Sequence, residues 1–353
     1  MKKMVTGALI LLVIGLIGTV STLYFYKGSL FNPVEWSEKK SISSNEINDI
    51  KINSASTDLV VEKTNGKDVQ IELMGKETKR KKGEYKLKVE KDNGVLLIKV
   101  EQKINWGLTF YKSIKLNVKL PEKMYQTLNV KTSSGKLTIT DFQADNATIQ
   151  STSGDIKIED GEVNNDLSIE ATSGQIKAIK NRANNMSLKA TSGDITSDNG
   201  RAAKNFSIHV TSGKVQATNN EAEKVTMKST SGDINIQQLS AKDSKISATS
   251  GTIDIDDISG TIIANASSGD IEIGPNEQIG NTDIETTSGG VKIKTKQKSI
   301  PFTFDFKGSS GVGDVNVIGA TYTEKSEHDM VGKIGSGKIQ LKVRTSSGDF
   351  ELR

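Results

Sequence analysis

The chain has 353 residues, a net charge of +4 from 47 basic and 43 acidic side chains, 32 glycines, four prolines, 5% aromatics and no cysteine. The near balance of charge argues against a nucleic-acid partner. The missing cysteine excludes disulfides, thiol catalysis, lipobox-type lipidation and Cys-ligated zinc or iron–sulfur sites.

The first element is "MKKMVTGALILLVIGLIGTVSTLYFYK". Two lysines precede an uncharged apolar run from Met4 to Tyr26, about the ~20 residues a helix needs to cross a bilayer. Tyr24, Phe25 and Tyr26 stand where an interfacial aromatic belt would lie. A cleaved signal peptide is the competing reading, but its apolar region is normally shorter and ends at an A-x-A-like site. The only candidate for such a site is the small-residue stretch from Gly18 to Ser21. Residues 1–27 are therefore expected to be a single transmembrane anchor in the lipid bilayer. Lys2 and Lys3 place the N-terminus in the cytoplasm and the bulk of the chain outside the cell.

Residues 28–45 are polar, carry Pro33 and read as a linker. Residues 46–127 show short alternating runs, among them Val69/Ile71/Leu73, Tyr85/Leu87/Val89 and Ile114/Leu116/Val118/Leu120. Period-2 alternation broken by "TNGK" and "KDNG" predicts strands and turns. This region is expected to cap whatever follows it.

From residue 128 a repeat takes over. Its Ser-Gly turns are marked by Gly135, Gly154, Gly174, Gly193, Gly213, Gly232, Gly251, Gly269, Gly289 and Gly311, spaced mostly by 19 or 20 residues. Five residues before each glycine the side chain is almost always apolar (Ile149, Ile169, Leu188, Ile208, Phe306), and two after it is apolar again (Ile156, Ile176, Ile195, Val215). One repeat cannot bury such a face, but stacked repeats can. Two short strands around a T-S-G turn, followed by a polar connection such as "KNRANN" or "DFQADN", predict one rung of a tube. The fold class expected is all-β: a parallel β-solenoid of about ten 19–20-residue rungs over residues 128–318, closed by a C-terminal cap at 319–353. At ~4.8 Å per rung this is a rod on the order of 50 Å. No proline lies between Glu122 and Gly274, as ladder strands require.

The turn "TSGD" invites a ligand. A calcium roll needs aspartate in every turn, yet the residue after the glycine is Asp at 155, 194, 233 and 270 but Lys at 136 and 214, Gln at 175, Thr at 252 and Gly at 290. A phosphate cradle would need a helix to follow. The turn therefore reads as a corner, with glycine supplying backbone freedom and Ser and Thr hydroxyls satisfying amides. A threonine ice-binding face would need a regular T-x-T pair on a flat strand, and the rows beside the turn lack one.

Solenoids also host glycan lyases and hydrolases. The local carboxylate cluster is Asp254, Asp256 and Asp257, but only Phe142 and Phe206 are aromatic between 128 and 293, and the histidines are His209 and His328 alone. No catalytic residue, cofactor or metal is expected. The one charge concentration is "KETKRKKGEYKLK", where Lys79, Arg80, Lys81, Lys82, Lys86 and Lys88 could meet a cell-wall polymer or lipid headgroups; a solvated hairpin loop is the plainer reading.

The stretch "VKLPEKMYQTLNVKTSSGKLTI", the serial TSSGD turns and the terminal "TSSGDFEL" resemble the bacterial DUF4097 family, which carries an adhesin label, and in particular its LiaG-like membrane-anchored members from envelope-stress operons. The resemblance covers about residues 45–353. It implies a β-solenoid outside the membrane and lends no catalytic residues. The expected function is a non-catalytic, adhesin-like envelope binding module whose partner is a wall polymer or a neighbouring membrane protein. An accessory role in envelope-stress signalling and a glycan-active enzyme are the alternatives.

Overall fold

The computed structural model describes residues 2–26, 33–78, 84–103, 112–276, 279–295 and 301–353. Lys2–Tyr26 is one helix, and everything else of regular structure is strand. Among the described residues no helix is long and apolar enough to cross a membrane.

The strands form a β-solenoid. Parallel ladders hold one rung on the next in register: Ile156 on Ile176, Ile176 on Ile195, Ile195 on Val215, and so to Ile271 on Val291. The expected inward columns are the core, with Ile149, Ile169, Leu188, Ile208, Met227 and Ile246 all fully buried. Each column is continuous because parallel neighbours present the same position to the same face.

Glycine at the corner does more than turn the chain. The φ angle at Gly193, Gly213 and Gly232 is 152°, 144° and 147°. A Cβ on Gly193 would lie 2.1 Å from the carbonyl oxygen of Gly174, and one on Gly232 2.0 Å from that of Gly213. The corner carbonyl of one rung sits where the next rung's side chain would be, so both backbone conformation and close approach demand glycine.

The "polar connection" is itself strand. Leu137–Ser153 and Ile156–Ser173 run almost unbroken around the tube. The second corner lies at Asp141, Asp160, Lys180, Asn199, Asn219, Gln238 and Asp257, each with φ between 51° and 61°. Asx side chains tolerate this left-handed conformation better than most. Next to it, in four successive rungs, Gly161, Asn181, Gly200 and Asn220 alternate glycine with buried asparagine. Asn181 accepts from the Gly161 amide at 3.0 Å and donates to the Ile158 carbonyl at 3.2 Å. Asn220 does the same for Gly200 and Ser197 at 2.9 and 3.2 Å. The inward residues beyond are Ala183, Ala202, Ala222 and Ala241.

Three expectations are corrected. The consecutive turns, from Gly135 to Gly289, number about eight rather than ten. Gly311 does not follow Gly289 in the stack. The chain end is inserted between them: Ile339–Thr345 lies parallel to both Ile279–Ser288 and Phe302–Gly308, and Phe350–Leu352 lies between Val291–Thr295 and Gly313–Val315. The expected C-terminal cap thus divides. Its last strands are an internal rung, while Ala320–Lys325 and Asp329–Ile334 form an antiparallel hairpin laid on Phe302–Gly308. Phe304 against Tyr322 and Phe306 against Phe350 fill this end, with ring centroids 5.5 and 5.2 Å apart.

The N-terminal end uses the same device. Asp49–Ser56 and Asp58–Thr64 form a rung between Tyr125–Ser153 on one side and Val95–Gln102 with Lys112–Pro121 on the other. Antiparallel strands then close the outside: Tyr85–Asp92 on Val95–Gln102, and Asp68–Thr78 on Lys112–Pro121. Residues 33–43, expected as linker, are a further edge strand paired with Asp68–Thr78. Trp36 anchors it by lying across Gly75, whose Cβ would meet the indole at 2.4 Å. That contact, together with Ile42 against Val69, explains why a polar-looking segment is held. Charged outer side chains on this edge, such as Glu35 and Lys39, oppose pairing with a second chain.

Candidate binding surfaces

The Asp of the TSGD turn has a structural partner. Asp155, Asp194, Asp233 and Asp270 each accept, through Oδ1, the amide of the residue in the same place one rung on: Gln175 at 3.0 Å, Lys214 at 2.8 Å, Thr252 at 3.1 Å and Gly290 at 2.7 Å. Asp58 serves Lys136 and Asp349 serves Val312, both at 2.9 Å. In spatial order the row therefore alternates Asp with non-Asp from end to end. Two carboxylates on adjacent rungs would repel at ladder distance. The Thr252 amide bond, followed by Lys214, holds Asp233 below the usual carboxylate range. The aspartates are corner braces between rungs.

Of the expected cationic contact set, Lys79, Arg80, Lys81 and Lys82 lie outside the described residues. Lys86 and Lys88 stand on the edge strand Tyr85–Asp92. Lys88 is engaged, its Nζ lying 2.8 Å from Glu101. Glu101, bonded by Lys88 and then by Lys99, is pulled down to about 2. The set thus brings one neutralised and one exposed lysine to the described surface.

Asp254 and Asp256 do project to one outer face, with Ile253 and Ile255 inward. Burial, then Glu272 and Asp256, raises Asp254. Glu272 is in turn ion-paired with Lys294. Asp257 turns away at the left-handed corner. The three carboxylates are strung along a convex strand and converge on no common point. Among the described residues no group of three His, Asp or Glu side chains could hold a metal.

Two surfaces were not foreseen. A shallow trough of about 670 Å³ runs along the second corner beneath Arg182, Arg201, Glu221 and Ser240, floored by the alanine column. The charges there are paired, Arg182 with Glu162 at 3.8 Å and Arg201 with Glu221 at 4.0 Å. The second is a flat basic face. Lys189 stacks on His209 and His209 on Lys228, in register on adjacent rungs. Beside them run Ser187, Ser207, Thr226 and Lys245, also in register. All point outward. Burial, with Lys228 and Lys189 adding, holds His209 below the ordinary imidazole value. The signal was present in the sequence as a basic residue four places before three successive register glycines, and is seen only when outward positions are aligned as carefully as inward ones.

Ten solved structures match the chain by comparison. A cell-adhesion candidate from Clostridium sporogenes is 12% identical over 90% of this chain and 99% of its own, with a TM-score of 0.20. A candidate adhesin from Parabacteroides distasonis is 13% identical over 73% and 97%, with a TM-score of 0.41. A candidate lipid-binding protein from the same organism is 16% identical over 73% and 96%, also at 0.41. No curated protein matches. The profile of the Toastrack DUF4097 family matches residues 47–203 and 179–353, which together span both ends of the solenoid, and the chain belongs to that family.

Proposed function

We propose that the protein is a membrane-anchored, extracellular β-solenoid that works as a non-catalytic, adhesin-like binding module of the cell envelope. The observation that carries the anchor is the N-terminal helix. Its consecutive residues Leu9, Ile10, Leu11, Leu12, Val13 and Ile14 are 44 to 72% exposed. Six residues in a row go right round a helix, so an apolar surface faces outward on every side. Such a surface is stable only in an apolar medium, and the sequence supplies an uncharged run from Met4 to Tyr26 to face one. What supports a binding role is the long set of regular outer faces that the ladder presents.

Because the chain has no cysteine, one added thiol reports location cleanly. In intact cells, Glu223→Cys should react with a membrane-impermeant maleimide, and the full chain should stay with the membrane through alkaline carbonate extraction. Labelling only after cell lysis, or release by carbonate, overturns the reading.

A further inference from the structure

We infer that the rung Ile339–Leu352 is exchangeable between copies of the chain, and that the slot it fills is a docking site for the same rung of a second copy. This deepens the binding-module reading by naming a partner, and it rests on that reading only for where the copies meet.

The first ground is topology. The rung has a parallel neighbour on each side, and both are supplied by residues that precede it, 279–295 and 302–315. Those neighbours keep other partners when it leaves. Ile279–Ser288 stays on Ile253–Ser268, Val291–Thr295 on Ile271–Asn276, and Phe302–Gly308 on Asp329–Ile334. The Gly313 amide stays bonded to the Glu327 carbonyl at 2.9 Å. Asp49–Thr64, the other inner rung out of chain order, is tied at both ends to a ladder of its own chain, Pro33–Ser43 on Asp68–Thr78, and has no slack to cross to another copy. Among the described residues, Ile339–Leu352 is tied to the tube by 335–338 alone. Gly335 and Gly337 there take φ angles of 61° and 66°, a short hinge of the kind that absorbs a change of direction.

The second ground is a keyed fit. Towards 279–295 every outward charge of the rung faces its opposite: Lys342 on Asp283, Arg344 on Glu285 and Glu351 on Lys292. On the other side Arg344 reaches Asp305 at 2.6 Å. Inward, Phe350 stands in a column that holds Ile253, Ile271 and Val291 in the rungs below. Its ring stacks on Phe306 at 5.2 Å. The larger side chain fits because Gly313 faces it, and a Cβ there would lie 2.7 Å from Phe306. An ordinary rung of the tube would lose the ring pair and these charge matches, so the occupant that satisfies the slot is this rung from another copy. Swapped and unswapped forms then make the same contacts, and local concentration decides between them. Anchoring copies in one membrane raises that concentration. Both ladders must open before the rung leaves, so exchange is slow and its products persist.

The test uses added thiols, since the chain has no cysteine of its own. Asp283 and Lys342 face each other in register, at the spacing of about 4.8 Å between strands that a disulfide can span. Full-length chain carrying D283C is mixed with tagged full-length chain carrying K342C, both already folded, in neutral detergent micelles under mild oxidation. A mixed disulfide should accumulate slowly and increase with protein concentration. T226C mixed with K245C places thiols at the same spacing on two rungs that cannot leave, and the mixed 283–342 product should exceed this control at least about fivefold. K292C mixed with E351C reports on the same rung independently, and decides the matter if D283C or K342C lowers the unfolding temperature. Mixed disulfide at the control level for both pairs overturns the proposal. The assay contains no cell envelope, so its failure leaves the thiol-labelling result standing, and failure of the labelling leaves this one standing.

Discussion

The backbone amide of Val312 donates to Oδ1 of Asp349 at 2.9 Å, although Asp349 comes 37 residues later in the chain. The same bond joins Thr252 to Asp233 at 3.1 Å in the middle of the tube. The end of the chain has therefore taken the place of an ordinary rung, down to the corner brace. The alternation of Asp and non-Asp survives only because Asp349 sits between Gly290 and Val312.

That insertion predicts an unusual pattern of protection. Ile339–Thr345 belongs to the C-terminal end of the chain but has a parallel neighbour on both sides. Ala320–Lys325 has one neighbour, the antiparallel strand Asp329–Ile334. Amide hydrogen exchange should be slower in 339–345 than in 320–325, because exchange follows local opening. Faster exchange at 339–345 would mean the end rung frays from the chain terminus inward.

The alternation itself can be broken. Thr252→Asp would set three carboxylates, at 233, 252 and 270, on successive rungs about 4.8 Å apart. Each exposed pair costs about 1 kcal/mol at low ionic strength. The variant should unfold at lower temperature than the wild type in dilute buffer, and salt should restore most of the loss. A loss that salt does not relieve would point to packing rather than charge.

The corner glycines should be sharply intolerant. A Cβ at Gly232 would lie 2.0 Å from the Gly213 carbonyl oxygen, while one at Gly66 would meet nothing closer than 3.5 Å. Gly232→Ala should cost about 2–4 kcal/mol. Gly66→Ala should change stability by less than about 0.5 kcal/mol. Chemical denaturation of the two variants side by side is the measurement, and equal effects would show that close approach is not what selects glycine.

Burial pushes the Tyr125 phenol up to about 12, and its hydroxyl donates to the Pro121 carbonyl at 3.3 Å. An unfolded tyrosine ionises near 10. The neutral phenol is favoured in the folded state, so this group leaves stability unchanged below pH 10 and lowers it as pH rises from 10 towards 12. Tyr125→Phe should flatten that part of the stability curve and remove the last phenolate step from the absorbance titration.

The sequence was legible wherever a column is made of large apolar residues. Ile156, Ile176, Ile195 and Ile234 announce a rung because their burial is the same at every repeat. The second corner was hidden because its inward column is alanine and asparagine. Ala183 and Asn181 carry little hydrophobic signal, yet both are buried, one filling a narrow part of the tube and the other bracing glycine amides. The edge strand 33–43 was hidden for a related reason: its hold on the fold comes from Trp36 over Gly75, a contact between residues far apart in the chain. The basic face was present as Lys189, His209 and Lys228, but nothing in a linear reading says which outward charges have partners.

By itself the sequence determined the fold class, the length of the rung, the inward faces and the need for glycine at the first corner, because periodic burial and turn geometry are local and repeat along the chain. The tertiary structure decided the order of the rungs at both ends. A parallel ladder accepts any strand with the right alternation, so Asp49–Thr64 and Ile339–Leu352 could have been outer caps. They are inner rungs, and the outer ones, Val95–Gln102 with Lys112–Pro121 and Phe302–Gly308 with Gly313–Val315, carry the antiparallel strands that cover the two ends.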